Sequence, residues 1–575
     1  MSNTSRRTSL TYPNGRVVNL DYGSTGWIDD LFSLVKSAAI SGESGNKVEY
    51  TRAGLGRYIK IAYPQPAVEM SMTRPGGGSM GDSGDPYDGY DRFSRVQEMR
   101  WQNSSAGTPI DAWQWGYNEA SNRTWKKNLV AASGQDEAYG YDGLYQVILD
   151  AVGTLNTNRT AVGGVPGEEE DFTYDPTGNW LGYRKDANGS AVLDQSRSNN
   201  QDNQLTQIDG SSALLSYDRA GNATKTAPGT NGDWSKSYQP VWDAWNRLVE
   251  VKDENGTTVQ KNAYDGLSRR LTKESASVVT HTYWSDRWKP LEERIGSATT
   301  ASRSYLWGER PGHRDELVLR DRDTDGNGTL DERLYATMDY FNGTAVLNTS
   351  GVVQERYAYS AFGVRRIMAA DFTPRSTSNY AWDFGYQGQF RDSETGWSNY
   401  GYRFYVPLLG RWINRDIIEE RDGINLYSFG KNNPSNELDR FGLFCNPLIL
   451  IKIEQYLIIT LGVISIWLII DTWRRYVLRG GVCCPIGEET RSRTESRTRA
   501  QSQTEKEKCT VEKVFGDGPG GGLCRVVCRP SGISYSVPCH NGTPVGTEVP
   551  PGRQGEPDPD DPNYYPNPLK IPGWE

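Results

Sequence analysis

The chain has 575 residues, room for several ordinary domains or one very large one, and carries a net charge of −9. Only 36% of its residues are hydrophobic, yet it has 62 glycines, 33 tyrosines and 18 tryptophans. This argues against a helical bundle and for an all-β protein of many short strands and tight turns, since aromatics suit pleated surfaces and glycine supplies positive φ. The acidic balance argues against a general polyanion-binding role, so no nucleic acid partner is expected.

The N-terminal stretch MSNTSRRTSLTYPNGRVVNLDYG has no apolar h-region, so no secretory signal is recognisable, and it reads directly into strand-and-turn sequence, as though the frame opened inside a longer protein. Up to Leu443 the chain then repeats itself. An aromatic residue followed by Asp, turn formers, and Arg, Asn or an apolar residue recurs in YDGYDRFSRV from Tyr87, YDGLYQV from Tyr141 and YDPTGNW from Tyr174. It recurs again in YDRAGNAT from Tyr217, WDAWNRLVEV from Trp242 and YDGLSRRL from Tyr264. Each unit is predicted to be a hairpin: the aromatic ends a strand, the Asp makes an Asx-type turn with an αL glycine, and a new strand leaves. One hairpin cannot bury its own face, so the units stack into a continuous sheet with laddered aromatics.

Residues 321–332, DRDTDGNGTLDE, have the spacing of an EF-hand calcium loop. Asp321, Asp323, Asp325, Asn327, Thr329 and Glu332 are the candidate ligands of a structural calcium ion, with Gly326 at the turn. The flanks ELVLRD and RLYATMDY alternate like strands, so the expectation is a calcium-stapled hairpin between two strands rather than a paired sensor site. The alternative is an acidic solvated turn without metal.

Residues 384–443 contain FGYQGQFRDSETGWSNYGYRFYVPLLGRWINRD and DGINLYSFGKNNPSNELDRFGL, and at their end the composition changes abruptly. All seven cysteines, the long apolar run and a Pro-rich tail come after Leu443. The repeats resemble those of Rhs and teneurin-type YD-repeat proteins, and 384–443 resembles the Rhs-associated core that closes such arrays. The resemblance covers about three quarters of the chain. It implies that 1–383 forms a large hollow β-shell closed by 384–443 as an inward plug, with the variable sequence beyond as cargo, often a toxin, held by its own shell. It further implies self-cleavage between Leu443 and Phe444 by an aspartic-protease-like pair, Asp416 and Asp439, with Arg411 orienting a carboxylate. Two neighbouring carboxylates cannot both ionise cheaply, so one keeps a proton while the other activates water. The family pattern has proline where this chain has Arg440, a charge expected to favour the ionised form of Asp439. The alternative reading of both aspartates is that they cap turns.

Beyond the junction, 444–485 includes Tyr456 to Ile470, 15 residues without a charge, bordered by Trp473, Arg474, Arg475 and Tyr476. A spanning helix needs about 20 apolar residues. Extension back to Pro447 takes in Lys452 and Glu454, so 447–479 is a candidate membrane helix with an aromatic and basic border; the alternative is an apolar helix enclosed by the shell. Cys483 and Cys484 follow. Residues 486–508 form a charged, Ser/Thr-rich linker.

Residues 509–549 read as a small β module whose Cys509, Cys524, Cys528 and Cys539 suit two disulfides of undetermined connectivity. A zinc site with His540 is the weaker competitor, and GDGPGGG reads as a hairpin tip. No catalytic set is recognisable there. Residues 550–575 are a Pro-rich end.

Two functions are consistent with this reading. One is a cell-surface or secreted YD-shell that holds and releases a C-terminal effector by self-processing. The other is a non-enzymatic, membrane-anchored scaffold for adhesion, with a surface protein or glycan as ligand.

Overall fold

The computed structural model describes residues 6–52, 58–72, 89–309, 316–421 and 423–443, and the backbone of four further strands between 508 and 549. The chain divides into two units, 1–484 and 485–575. The apolar stretch 447–479 and the Pro-rich end lie outside the described residues. No helix among the described residues is long and apolar enough to cross a membrane.

In the first unit, strand follows strand in an antiparallel meander. Fifteen strands, from Ser9–Thr11 to Leu205–Ile208, pair in sequence order; thirteen more, from Gln239–Trp242 to Pro374–Arg375, form a second sheet in the same way. A short hairpin of Ser216–Tyr217 and Ala223–Lys225 lies between them in sequence. The all-β expectation holds. The described residues contain one short α-helix, Ile28–Leu31.

The YD turns explain why the sequence folds this way. In Asp91, Asp142, Asp175, Asp243 and Asp265 the Oδ1 accepts from the backbone N–H groups two and four residues on, as Asp265 does from Leu267 and Arg269, both at 2.9 Å. The Oδ2 takes the side chain four residues on, Arg269 Nε at 2.6 Å in this turn and Asn179 Nδ2 at 2.9 Å in another. That same side chain reaches forward: Arg247 Nη1 donates to Asp265 O and Arg269 Nη1 to Ser285 O. The aromatic reaches backward, with Tyr141 donating to Arg123 O, Trp242 to Ala223 O, Tyr264 to Leu248 O and Trp284 to Arg270 O. Each repeat is thus tied to both neighbours through otherwise orphaned backbone groups.

The expected αL glycine is present in only part of the set. Gly178 and Gly221 have φ of 81° and 86°, but in the two YDGL turns the left-handed residues are Tyr145 and Ser268. Gly143 and Gly266 lie one position after the aspartate, two positions too early to take that conformation.

Within this unit the two sheets pack face to face through aromatic residues. Tyr63, Met70, Met99 and Trp101 of the first meet Leu306, Leu319, Tyr335 and Leu347 of the second in one buried cluster. The polar tips of the aromatics bond across the seam, Tyr12 to Tyr305 O at 2.7 Å and Trp101 Nε1 to Met338 O at 2.7 Å.

The core segment forms its own four-stranded sheet: Phe390–Arg391, Ser398–Asn399, Phe404–Val406 and Arg411–Trp412. Its apolar side chains enter two of the wall's clusters. Tyr400, Tyr405, Trp412 and Phe429 join Tyr305, Trp307 and Tyr357, while Trp397, Phe404, Leu409 and Ile413 join Leu205, Tyr238 and Val251. The Tyr405 hydroxyl donates to Phe362 O and that of Tyr427 to Gly221 O, both at 2.7 Å.

In the second unit the strands Lys508–Phe515, Gly522–Arg529, Ser534–Cys539 and Glu548–Val549 form an antiparallel sheet, in which Cys509 and Cys528 are register partners.

Replacing Asp265 with Ala removes the acceptor for two backbone N–H groups and for Arg269. We expect this change to lower the free energy of unfolding by about 1–3 kcal/mol in chemical denaturation, whereas the exposed neighbour Leu267→Ser leaves it nearly unchanged.

Candidate autoproteolytic site

Arg403 organises the end of the core. It lies one residue before the strand Phe404–Val406, is 1% exposed, and stacks over Trp412 with its guanidinium carbon 4.2 Å from the ring centroid. A guanidinium buried this deeply needs acceptors on every side. Its Nη2 lies 2.6 Å from Asp416 Oδ2 and 3.7 Å from Asp439 Oδ2. Its Nη1 donates to Leu426 O at 3.3 Å, and its Nε donates to the carbonyl of Gly442. One arginine therefore connects the two predicted aspartates to the backbone beside the predicted scissile bond.

Both aspartates are positioned by their own loops. Asp416 follows the Arg411–Trp412 strand; its N–H donates to Leu426 O, and its Oδ1 accepts from Ile418 N at 3.0 Å. Asp439 is anchored through its N–H to Gln387 Oε1 at 3.1 Å. Its Oδ1 accepts from Phe441 N at 3.1 Å and Leu443 N at 3.0 Å, folding the last described residues back over the carboxylate. Its Oδ2 is buried and has no hydrogen-bond partner. The turn needs Gly442, whose φ is 69° and whose hypothetical Cβ would crowd Arg403.

Burial pushes both carboxyls above the ordinary carboxylate range. Arg403 opposes this at each, as do the backbone N–H of Ile418 at Asp416 and those of Leu443 and Phe441 at Asp439; the charge of Asp416 adds to the rise at Asp439. The charge of Arg403 is the leading influence that steadies the ionised form of Asp439.

Arg411 is a correction. Its guanidinium faces the first sheet, with Nη1 on Asn199 Oδ1 at 3.0 Å, Nη2 on the carbonyl of Asn203, and its carbon 5.2 Å from the centre of the Tyr427 ring. It pins the core to the wall and orients neither aspartate. Arg403 was missed, although the sequence holds a signal for it: an arginine within the aromatic run NYGYRFYV, once that run is buried, needs carboxylate partners.

The candidate calcium residues form the predicted hairpin: Asp321 lies in the strand Leu317–Arg322, Glu332 opens the strand Glu332–Met338, and the others lie in the loop between. The two ends of the ligand set face arginines: Asp321 pairs with Arg16 at 2.5 Å and Arg333 at 2.7 Å, and Glu332 with Arg320 at 2.8 Å and Arg322 at 3.0 Å. Asp323 accepts from Gly326 N and Gly328 N, Asp325 from Asn327, and Asn327 Oδ1 from Thr329 N. As arranged, this set does not fit a calcium cage, and no group of three His, Cys, Asp or Glu gathers for a metal among the described residues. Side chains of the four candidate disulfide cysteines lie outside the described residues.

Two meanders of stacked YD hairpins, with a small four-stranded sheet packed into their clusters and an Arg–Asp–Asp cluster after it, define a repeat-built, all-β protein. No family model matches the chain. Toxin subunit YenC2 of Yersinia entomophaga is 24% identical over 443 residues, 70% of this chain and 41% of that protein. Double-stranded DNA deaminase toxin A of Burkholderia cenocepacia is 24% identical over 377 residues, 57% of this chain and 24% of that protein. Among solved structures, the crystal structure of TcdB2-TccC3 without its hypervariable C-terminal region shares the fold, with a TM-score of 0.56 and 17% identity over 75% of this chain and 20% of that one. The chain therefore spans less than half the length of these relatives. In sequence and fold the chain is similar to Rhs-type YD-repeat proteins.

Two outcomes test the site's electrostatics. Carboxyls raised in the folded state contribute stability that is present at low pH and lost as pH rises through the folded value. The difference in Tm between Asp439→Asn and the parent should therefore move in the variant's favour as pH is raised from about 4, near the unfolded value. Calcium and EDTA should leave the parent's Tm unchanged, while Glu332→Gln should lower it in both, because the loop is held by arginine pairs.

Proposed function

We propose that the core cuts its own chain between Leu443 and Phe444, separating the wall from the sequence at 444–575. The observation that carries this reading is the convergence of Asp416, Asp439 and the Gly442 carbonyl on Arg403. Asp416, in direct contact with the guanidinium, is the carboxylate that accepts a proton from water. The resulting hydroxide attacks the Leu443 carbonyl carbon. Asp439, whose Oδ1 already holds the Leu443 N–H, gives its proton to the Phe444 nitrogen as the C–N bond breaks, leaving a Leu443 carboxyl and a free Phe444 amine. Arg403 and Asp439 act before that step by fixing the two residues ahead of the bond, so the peptide is presented in one orientation.

The shell reading extends to purpose. The relatives are named as toxin subunits and toxins, and the solved relative has a hypervariable C-terminal region, all of which supports the sequence beyond Leu443 as cargo of a secreted toxin-type shell. The borders 1–383 for the wall and 384–443 for the core are part of this proposal. The interior wall would face the cargo and the core would be the point of release.

Intact-mass measurement of the purified full chain tests the reaction. We expect a break after Leu443 in the parent, and full-length chain in Asp416→Asn, Asp439→Asn and Arg403→Lys. Arg411→Lys should still be cut. An uncut parent of native stability, or cleavage undiminished in Asp439→Asn, would overturn the proposal.

A further inference from the structure

A cavity of about 1220 Å³ opens between the second sheet, the segment 374–394 and residues near Gly134 and Glu168 of the first sheet. Its lining is polar, with many hydroxyls and eight arginine or lysine side chains, in a chain that is acidic as a whole. Most of these cations already have an anion. Arg270 pairs with Asp392 at 2.7 Å, Lys273 with Glu394 at 2.9 Å and Arg303 with Asp383 at 2.8 Å. Arg322 pairs with Glu332, and Arg375 with Glu355 at 3.2 Å. Arg366 has its nearest carboxylates, Glu137 and Glu168, only at 3.9 Å.

Arg365 and Arg391 differ. Neither has a carboxylate within ion-pair distance among the described residues. Arg365 lies over Tyr357, 4.0 Å from the ring centroid, and donates through Nη1 to Trp382 O at 2.7 Å, while its Nε and Nη2 have no acceptor. Arg391 lies on the neighbouring edge strand of the core, where its backbone N–H is used by Asp383 O. Both side chains line the cavity; burial lowers the pKa of Arg391 and the charge of Arg365 lowers it further, against the opposing charges of Asp383 and Asp392. Asp383 and Asp392 are near enough to act on Arg391, but they are in direct pairs with Arg303 and Arg270, so two half-buried cations of like sign line one cavity without an ion-pair partner of their own, which is costly unless an anion joins them.

We infer that Arg365 and Arg391 form an oxyanion site in the wall of this cavity, taking a carboxylate or a phosphate. A guanidinium binds either in the plane of its donor fork, and burial strengthens the contact relative to solvent. The hydroxyl-rich surroundings supply donors for the remaining oxygens. The inference is independent of self-cleavage, since neither arginine touches Asp416, Asp439 or Arg403. The same chemistry has two sources, a free ion or the acidic side chains of a peptide lodged in the cavity.

Calorimetric titration of the full chain in low-salt chloride buffer, with inorganic phosphate and separately with hexaglutamate, tests it. Binding of either probe, weakened at least about tenfold in Arg391→Gln and in Arg365→Gln but not in the exposed Lys225→Gln, supports the site. Phosphate alone identifies a free-ion site and hexaglutamate alone a peptide site. Thermal midpoints report folding: a bound anion raises Tm in the parent and not in the glutamine variants; without anion the midpoint of Arg391→Gln stays equal or rises because like-charge repulsion is relieved, while Arg365→Gln, which also loses the bond to Trp382 O and the stack on Tyr357, falls. Absence of binding by both probes to a folded parent, or binding indifferent to both substitutions, would overturn the inference.

Discussion

An aspartate that closes its own turn with one oxygen and holds its neighbour's side chain with the other is the contact on which the wall depends. A hairpin leaves turn N–H groups and edge carbonyls unsatisfied, and a long meander multiplies that debt at every repeat. In this chain each YD unit settles it locally and also reaches outward. The aspartate takes two backbone donors, the Arg or Asn four residues on bonds forward, and the aromatic bonds back to the preceding repeat. Register is thereby fixed twice, by the turn and by the aromatic, so successive repeats add in the same sense over more than a dozen strands.

The core depends on the wall in return. Its four short strands are too small to bury Tyr400, Tyr405, Trp412 and Phe429 by themselves, and these side chains find cover in aromatic clusters supplied by the second sheet. That enclosure makes the Arg403 cluster possible. Excluding water raises the carboxyls, and it also makes each remaining interaction of the guanidinium strong enough to hold a loop. A site on an exposed hairpin with the same residues would have neither property.

Arginine carries much of the specificity on the inner side. Arg403 gathers the two aspartates, Arg411 fastens the core to the first sheet, and Arg320, Arg322 and Arg333 take the carboxylates that the loop at 321–332 offers. Each planar fork finds acceptors fixed by a different strand, so the pairs report tertiary arrangement rather than sequence spacing. The loop shows this most directly. Its spacing suits a cation, but Asp321 and Glu332 lie within paired strands whose register brings arginines to them first.

The sequence by itself determined the strand-and-turn class and the repeating hairpin, because these rest on local rules: aromatic preference for strands and the Asx turn. It also named Asp416 and Asp439 as candidates, and the fold brings both beside Arg403. Only the tertiary structure decided which arginine serves them, since Arg403 and Arg411 differ not in type but in which buried neighbours the folded wall brings close. The αL residue of the YDGL turns was likewise decided by hydrogen-bond closure at the fourth position, which puts Tyr145 and Ser268 where a glycine had been expected. Contacts across hundreds of residues, such as Tyr427 to Gly221 or Arg411 to Asn199, have no local signature, because they join segments that only the folded chain brings together.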